Sequence, residues 1–252
     1  MAKKIGVGVI TCNREHFLKQ CLDSIPLDMV DEICVINDGD KLSYDITDTY
    51  RRIYMIEHVK NLGVGKSKND ALKHLLRNDC DYIFLLEDDI ILLDKSVFNR
   101  YIEAHLASGI HHFNYGPGSP FNRKQTIQNL DIHNRHLFFT KEILEKVGLI
   151  DEDYYNAWEH VDHTYRIIKE GYHPPFWHFA DIYNSHKYVT EAPEAIDKSS
   201  IANDNEQWKK NVYGGREIYK EKHGHYPNEP PHTPKKDIQK ILKNIKNRNG
   251  KN

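Results

Sequence analysis

Short apolar runs alternate with longer segments of helical spacing in the first half of the chain. Four runs predict β-strands, at residues 4–10, 31–36, 52–57 and 81–86. Between them, apolar side chains recur every three to four residues, which predicts helices over 14–24 and from Gly65 to Arg77. Strands that alternate with helices favour a doubly wound, mostly parallel sheet. Because the apolar runs are continuous, helices are expected on both faces of that sheet.

The second half has a less regular pattern. It predicts a strand at 136–139 and helices at 140–147, 159–170 and 205–222. Thr140 is the expected N-cap of the first of these helices, and Gly171 follows the end of the second. Residues 116–120 predict a loop. The polar, irregular residues 190–204 are typical of a flexible lid.

The C-terminal part of the chain is basic. Residues 227–234 are rich in proline and predict a linker, and residues 235–252 carry six lysines and one arginine against one aspartate. Apolar side chains recur there at helical spacing, at Ile238, Ile241, Leu242 and Ile245. This pattern predicts a basic amphipathic helix, which suits an anionic membrane surface or nucleic-acid phosphates. A solvated helix end is the alternative.

Composition limits the class of protein. The chain has 252 residues, of which 39% are hydrophobic, and no apolar run is long enough to span a bilayer. The net charge of -2 does not favour nucleic acid as a partner of the whole molecule. The four cysteines, Cys12, Cys21, Cys34 and Cys80, lack metal-binding spacing and lie in or beside apolar segments. They predict reduced, mostly buried thiols in a cytoplasmic protein.

Three adjacent acids, Glu87, Asp88 and Asp89, follow the apolar run 81–86. In an open parallel sheet, ligands bind beyond the carboxyl ends of the strands. Adjacent carboxylates repel one another unless a cation lies between them, and oxygen ligands suit Mg²⁺ or Mn²⁺. The triplet therefore predicts a divalent metal that binds a diphosphate. A solvated acidic loop is the other interpretation.

Polar residues at other strand ends predict contacts with a nucleotide. Asp38 could accept a hydrogen bond from a nucleobase or form an Asx turn, and Thr11 and Arg14 could reach the same ligand. Lys66 and Asn69 open a helix after a glycine-rich turn, where backbone N–H groups and a cation suit phosphate. No dinucleotide-binding or P-loop glycine motif is present.

Four segments together resemble the N-terminal half of family 2 and related GT-A glycosyltransferases: ITCNREHFLKQCLDSI, EICVINDGD, NLGVGKSKNDAL and YIFLLEDDIIL. The resemblance implies a GT-A α/β fold, with a mostly parallel sheet flanked by helices and a C-terminal helical extension. It implies that Asp38 contacts the base and that the acidic triplet holds a metal on the diphosphate. Asp89 is then the direct ligand, and Glu87 and Asp88 support the metal, the donor ribose or the donor sugar.

The segment HLFFTKEILEKVGLIDEDYYNAWEHVDHTYRIIKEGY resembles the acceptor side of the same enzymes. The matching positions are Glu159, Asp162, Arg166 and Gly171. The family usually has a second acid after Glu159, which is the base in inverting members, whereas this chain has His160. His160, whose ordinary pKa near 6.5 suits a base, Glu159 and Asp162 all stay candidates for that role. Trp158 could stack on a sugar or belong to the core.

A histidine completes the predicted metal site. Related enzymes often supply one from the region of NSHKY, so the resemblance implies that His186 binds the metal with Asp89, with His178 as the second choice. The chain has 16 histidines, so only its place in the order of motifs favours His186.

The expected organisation is a GT-A domain over residues 1–190, a lid and helical extension over 191–226, and a linker with a basic tail over 227–252. Within the domain, residues 1–91 form the nucleotide-binding half and 92–190 the acceptor and catalytic half. The resemblance implies a cytoplasmic enzyme that uses Mn²⁺ or Mg²⁺ to transfer a sugar, with inversion, from a nucleotide-sugar, first of all a UDP-sugar.

The acceptor and two rival functions stay open. The acceptor is a glycan or envelope precursor, or a modified nucleic-acid base, and the basic tail allows peripheral contact with an anionic membrane or with nucleic acid. A sugar-nucleotide pyrophosphorylase would need a glycine-rich loop with arginine after the first strand, where this chain has TCNRE. A catalytically degenerate module that binds glycans or a protein partner is the other rival, because His160 replaces an acid.

Overall fold

The computed structural model describes residues 2–50, 52–115, 127–130, 135–195 and 205–249. The strands are β1 (Ile5–Thr11), β2 (Glu32–Asn37), β3 (Ile53–Glu57), β4 (Tyr82–Glu87), β5 (Ile90–Leu92), β6 (His112–Tyr115), β7 (Ile127–Leu130), β8 (Arg135–Thr140), β9 (Phe179–Ile182) and β10 (Val189–Glu191). The helices are α1 (Glu15–Ser24), α2 (Ile46–Thr49), α3 (Val64–Arg77), α4 (Val97–Ser108), α5 (Lys141–Val147), α6 (Glu159–Lys169), α7 (Asn205–His223) and α8 (Lys235–Asn249). The predicted loop at 116–120 and most of the predicted lid, 196–204, lie outside the described residues.

A six-stranded sheet with the order β3-β2-β1-β4-β8-β6 forms the centre of the fold. The first four strands are parallel, β8 is antiparallel to β4, and β6 is antiparallel to β8. Ile10 of β1 lies opposite Ile36 of β2 and Glu87 of β4, so the carboxyl ends of these strands meet at one edge. The predicted, mostly parallel α/β sheet is confirmed.

Helices cover both faces of the sheet, as the continuous apolar runs predicted. Alternate residues of β4 enter two hydrophobic cores, with Phe84 on the side of α1 and α4 and Leu85 on the side of α3 and α5. Two glycines of β1 allow α3 to pack closely. A Cβ atom at Gly6 would lie 2.7 Å from the sulfur of Cys80, and one at Gly8 would lie 2.8 Å from the Cβ of Ala71.

The sequence pattern did not predict α4 or the small antiparallel pairs β5–β10 and β7–β9. The first two residues of the predicted lid form part of a strand. Thr190 and Glu191 belong to β10 and pair with Ile91 and Ile90 of β5. The preceding Val189 is fully buried, so apolar packing holds this strand on the domain. Three residues are too short a run for the alternation of a strand to be recognised.

The basic C-terminal helix packs on the domain. Ile238 and Ile245 of α8 are buried, and Ile245 belongs to the same core as the sheet. The carbonyl oxygen of Ile245 would lie 2.9 Å from a Cβ atom at Gly109, which ends α4 in a left-handed conformation (φ 76°). The apolar face of α8 is therefore covered by the protein's own core, while Lys240 and Lys243 are exposed. In the described parts of the chain, no helix has the length and apolar character needed to cross a membrane.

Replacing Ile245 with alanine should lower the free energy of unfolding by about 2–4 kcal/mol, because it leaves a cavity between α8 and the sheet core. Urea denaturation measures this loss. The matched control is Lys243→Ala on the exposed face of the same helix, which should change the free energy by less than about 0.5 kcal/mol. Equal effects of the two substitutions would contradict the packing of α8 described above.

Candidate functional site

The acidic triplet lies at the carboxyl edge of the sheet, where β4 meets β1. Glu87 is the last residue of β4, and the backbone N–H of Asp88 donates to the carbonyl oxygen of Ile10 (3.1 Å). Asp88 is only 1% exposed and Asp89 4%. The interpretation as a solvated acidic loop is therefore wrong, and these carboxylates need cationic or hydrogen-bonding partners.

Two residues that were predicted to contact a nucleotide bind these acids. The hydroxyl of Thr11 donates to Oδ2 of Asp88 (2.7 Å). The Arg14 guanidinium binds both oxygens of Asp88, and its Nη1 donates to Oδ2 of Asp89 (3.2 Å). The remaining oxygen of the pair, Oδ1 of Asp89, is buried and has no hydrogen-bond partner among the described residues. One carboxylate oxygen at this edge is thus left for a further ligand.

The electrostatics of this pair favour an additional cation. Burial raises the pKa of Asp88 to about 7, although the charge of Arg14 acts in the opposite direction. Burial also raises the pKa of Asp89, and the negative charge of Glu87 adds to the rise. A bound cation would stabilise both carboxylates in their ionised form.

The unpartnered oxygen of Asp89 fits a hard divalent cation, which takes one or two carboxylates together with phosphate oxygens and water. The predicted second ligand, His186, is exposed on a 3-10 turn between β9 and β10. In the part of the chain that the structure describes, no group of three or more His, Cys, Asp and Glu side chains is arranged to hold a metal ion. The pairing of Asp89 with His186 stays a prediction.

Glu87 binds cations of the protein itself. Nε of Arg135 donates to one of its oxygens (2.9 Å), and Nζ of Lys68 lies 3.4 Å from the other. Burial alone would raise the pKa of Glu87, but the charges of Lys68 and Arg135 lower it to about 2. Arg135 also forms an ion pair with Glu191 of β10. Glu87 is therefore an ionised carboxylate held between two cations.

Lys68 joins the triplet to the predicted catalytic residues. Its Nζ donates to Oε1 of Glu159 (2.8 Å), the first residue of α6, and Nδ1 of His160 lies 3.6 Å from the same oxygen. Lys68 is 2% exposed and Glu159 4%. Burial alone would raise the pKa of Glu159, but Lys68 and His160 hold it well below its usual range.

Lys68 is not among the predicted site residues, although the sequence carries a signal for it. Lys68 lies three, four and seven residues before Ala71, Leu72 and Leu75, so it belongs to the apolar face of α3. A lysine on the buried face of a helix needs an acidic partner, because burying an unpaired charge is costly. That signal predicts a buried ion pair but does not identify the partner.

Asp162, the third predicted base, has other partners. Nε of Arg166 donates to one of its oxygens (2.9 Å), while Nε2 of His223 lies 2.7 Å from the other. The hydroxyl of Tyr154 also donates to that second oxygen (3.4 Å). Asp162 thus binds α7 to α6 and has both oxygens occupied, which leaves Glu159 and His160 as the better placed candidates.

A pocket of about 430 Å³ opens between the carboxyl ends of β1, β2 and β3. Its lining comprises Cys12 and Asn13 after β1, residues 37–41 after β2, and residues 57–61 after β3. Asp38 faces the turn before α3 and accepts hydrogen bonds from the backbone N–H groups of Leu62 (2.7 Å) and Gly63 (2.9 Å). It therefore shapes the pocket, and its contact with a nucleobase stays a prediction.

The glycine-rich turn serves domain packing in this structure. The N–H of Val64 donates to the carbonyl oxygen of Tyr155 (2.9 Å), and a Cβ atom at Gly63 would lie 2.5 Å from that oxygen. Gly63 has a φ of 92°, so both its conformation and its surroundings require glycine. The N–H group of Val64, at the helix start where phosphate binding was expected, is therefore used by the protein.

Lys66 and Asn69, the expected phosphate contacts, also have protein partners. Lys66 forms an ion pair with Asp70 one turn later on α3. The amide of Asn69 donates to the carbonyl oxygen of Ile150 (2.8 Å) and accepts from its N–H (2.9 Å). Asn69 thereby binds α3 to the segment that follows α5, and phosphate contact by either residue stays a prediction.

Trp158, the predicted acceptor contact, packs against α7. It has a left-handed backbone (φ 73°), and its Nε1 donates to the carbonyl oxygen of Val212 (2.9 Å). A Cβ atom at Gly215 would lie 2.8 Å from its ring. These contacts favour a packing role for Trp158 over the alternative role of stacking on a sugar.

Residues 7–158 match the model described as Glycosyl transferase family 2, and the chain therefore belongs to that family. It is a glycosyltransferase, and its six-stranded sheet flanked by helices has the GT-A fold. The resemblance noted from the sequence is confirmed. A curated relative, "Uncharacterized glycosyltransferase R363" of Acanthamoeba polyphaga mimivirus, is 28% identical over 224 residues, which cover 79% of this chain and 85% of the relative.

Two solved structures share the fold. The S. aureus protein TarS (residues 1–349), in complex with UDP, aligns over 97% of this chain and 71% of its own with a TM-score of 0.58 and 15% identity. The mannosyltransferase PcManGT from Pyrobaculum calidifontis, in complex with GDP-Man and Mn²⁺, aligns over 98% of this chain and 70% of its own, with a TM-score of 0.58 and 14% identity. At this level of sequence identity, the structural similarity shows a shared fold and nothing further.

Two neighbouring glycines of α7 test the packing of Trp158. Gly215→Ala should lower the free energy of unfolding by about 1–3 kcal/mol, because the added methyl group collides with the Trp158 ring. Gly214→Ala is the matched control: nothing lies within 4 Å of its Cβ position, so it should stabilise the protein by about 0.5–1 kcal/mol. Thermal unfolding distinguishes them, and stabilisation by both substitutions would contradict the contact.

Proposed function

We propose that this chain transfers a sugar from a nucleoside diphosphate donor to an acceptor hydroxyl, with inversion at the anomeric carbon and with Mn²⁺ or Mg²⁺ as cofactor. The main support is that the pocket and the buried acids share one edge of the sheet. Cys12 lines the pocket, and the adjacent Thr11 donates to Asp88. A nucleoside in the pocket would therefore have its diphosphate beside the acids.

A UDP-sugar is the first choice of donor, from the resemblance and from the UDP bound to TarS. The GDP-Man and Mn²⁺ bound to PcManGT make a GDP-sugar the second choice and agree with a divalent metal. Asp89 would hold the metal through its unpartnered oxygen, and His186 is the proposed second protein ligand. When bound, a divalent cation neutralises negative charge on the leaving diphosphate.

His160 is the proposed general base. Its Nδ1 lies 3.6 Å from Oε1 of Glu159 at the start of α6, and an imidazole nitrogen can accept the proton of the acceptor hydroxyl. Glu159 is the weaker base of the two, because Lys68 holds its pKa below the usual range, and its role is to orient the imidazole. The acceptor oxygen then bonds to the anomeric carbon, the bond from that carbon to the diphosphate oxygen breaks, and the electron pair leaves with the nucleoside diphosphate.

The acceptor is a glycan or envelope precursor, or a nucleic-acid base. The exposed lysines of α8 support contact with an anionic membrane or with nucleic acid through charge alone, because the apolar face of that helix is buried. A catalytically degenerate glycan-binding module is the second candidate, and the observation that favours it is that Arg14 already binds both Asp88 and Asp89.

A screen of UDP-, GDP- and TDP-sugars against glycan and DNA acceptors tests this function by the release of nucleoside diphosphate. Release should require Mn²⁺ or Mg²⁺ and stop in EDTA. Asp89→Ala and His160→Ala should each lower kcat about 100-fold, and His186→Ala should weaken metal affinity at least about tenfold. His178→Ala tests the second choice of ligand and should leave metal affinity unchanged. Glycan binding without turnover on any donor would favour the module instead.

Alkylation of Cys12 tests where the nucleotide binds. Cys12 is partly exposed in the pocket, whereas Cys21, Cys34 and Cys80 are buried free thiols. Burial and the nearby Asp38 raise the pKa of Cys12, so its reaction with a maleimide should be slow. UDP at ten times its Kd should slow labelling about tenfold further.

Mass spectrometry of the labelled peptide gives the rate for each cysteine. Cys12→Ser should remove all labelling of the native protein, while the unfolded variant should label at its three other cysteines. If saturation of the protein with UDP left the rate of Cys12 labelling unchanged, the nucleotide would bind outside this pocket.

A further inference from the structure

The ammonium group of Lys68 lies buried between carboxylates from two parts of the domain. Its Nζ is 2.8 Å from Oε1 of Glu159 and 3.4 Å from Oε1 of Glu87. Removing a cation from water is costly, and the two acids offset this cost only if their geometry is fixed. The position of Lys68 therefore depends on both carboxylates, and the positions of the two carboxylates depend on Lys68.

The two partners of Lys68 belong to different functional elements. Glu87 ends β4 and directly precedes the buried aspartates, while Glu159 begins α6 and directly precedes His160. The second oxygen of Glu87 accepts from Arg135, so Glu87 is held from two sides. Lys68 thus connects Glu87, at the carboxyl edge of the sheet, to the first turn of α6.

Oε1 of Glu159 is shared between Lys68 and Nδ1 of His160. Without Lys68, this oxygen would lose its nearest cation, and the Glu159 side chain would be free to adopt other rotamers. The imidazole of His160 would then lose the group that faces its Nδ1. Lys68 does not line the pocket between β1, β2 and β3, so it is not placed to contact a nucleoside bound there.

We propose that Lys68 is a positioning residue, which holds Glu159 so that this carboxylate directs His160 towards the acceptor hydroxyl beside the donor. The inference rests on the proposed function, in which His160 is the base. In this role, Lys68 makes no contact with the reacting atoms. Its effect is on the rate of the chemical step, and the affinity for the donor does not depend on it.

Lys68→Met removes the cation and keeps a side chain of similar length. It should lower kcat about 100-fold and change the KM for the donor less than about threefold. Lys68→Arg keeps the charge and should recover kcat to within about tenfold of wild type. The matched control is Lys73→Met on the same helix, where the exposed lysine lies 3.4 Å from Glu152, and it should leave both constants unchanged. A kcat of folded Lys68→Met within threefold of wild type would overturn the inference, as would no recovery in a folded Lys68→Arg.

Loss of Lys68 also leaves buried acids with fewer partners, so Lys68→Met should lower Tm by roughly 10 °C. The double variant Lys68→Met with Glu159→Gln removes both charges of the pair and should regain part of that Tm. Its kcat should be no lower than that of Glu159→Gln alone, because the two residues act as a unit. Losses in kcat that multiply would overturn the inference.

The failure of this inference is distinguishable from failure of the proposed function. Wild-type protein without turnover on any donor would overturn the proposed function and this inference with it. Metal-dependent turnover that is lost in His160→Ala but kept in Lys68→Met would overturn the role of Lys68 alone.

Discussion

Buried charge at the carboxyl edge of the sheet is the constraint on which the site depends. Four carboxylates meet there, three from the end of β4 and Glu159 from the start of α6, and three cations neutralise them: Arg14, Lys68 and Arg135. Such groups are stable away from water only when each has a partner at short distance. Oδ1 of Asp89 is buried without a hydrogen-bond partner among the described residues, and the proposed metal would bind there.

The geometry of the parallel sheet produces this concentration of charge. Strands β1, β2 and β4 end at the same edge, and the glycines of β1 allow α3 to approach the sheet closely. That approach brings Lys68, on the inner face of α3, to the end of β4. The ends of β1 and β2, together with that of β3, also form the walls of the pocket, so the same edge of the sheet holds both the buried acids and a cavity of about 430 Å³.

Specific polar contacts hold the segments after β8 in place. Asn69 of α3 binds Ile150, which follows α5, and Asp162 of α6 binds His223 of α7. The predicted catalytic and acceptor residues therefore fall into two groups. Glu159 and His160 lie beside the buried charges, whereas Asp162 and Trp158 hold α7 on the domain.

The sequence by itself determined the four parallel strands, the helices α1 and α3 between them, and the place of the acids after β4, because burial along a strand or helix leaves a local periodic pattern. It did not determine the partners of those residues. Lys68 and Glu159 are 91 residues apart, and Arg135 and Glu87 are 48 apart. The choice of partner depends on distances that arise only when separate elements pack. For the same reason, the apolar face of α8 was visible in the sequence, but only the tertiary structure decided that the protein's own core covers it.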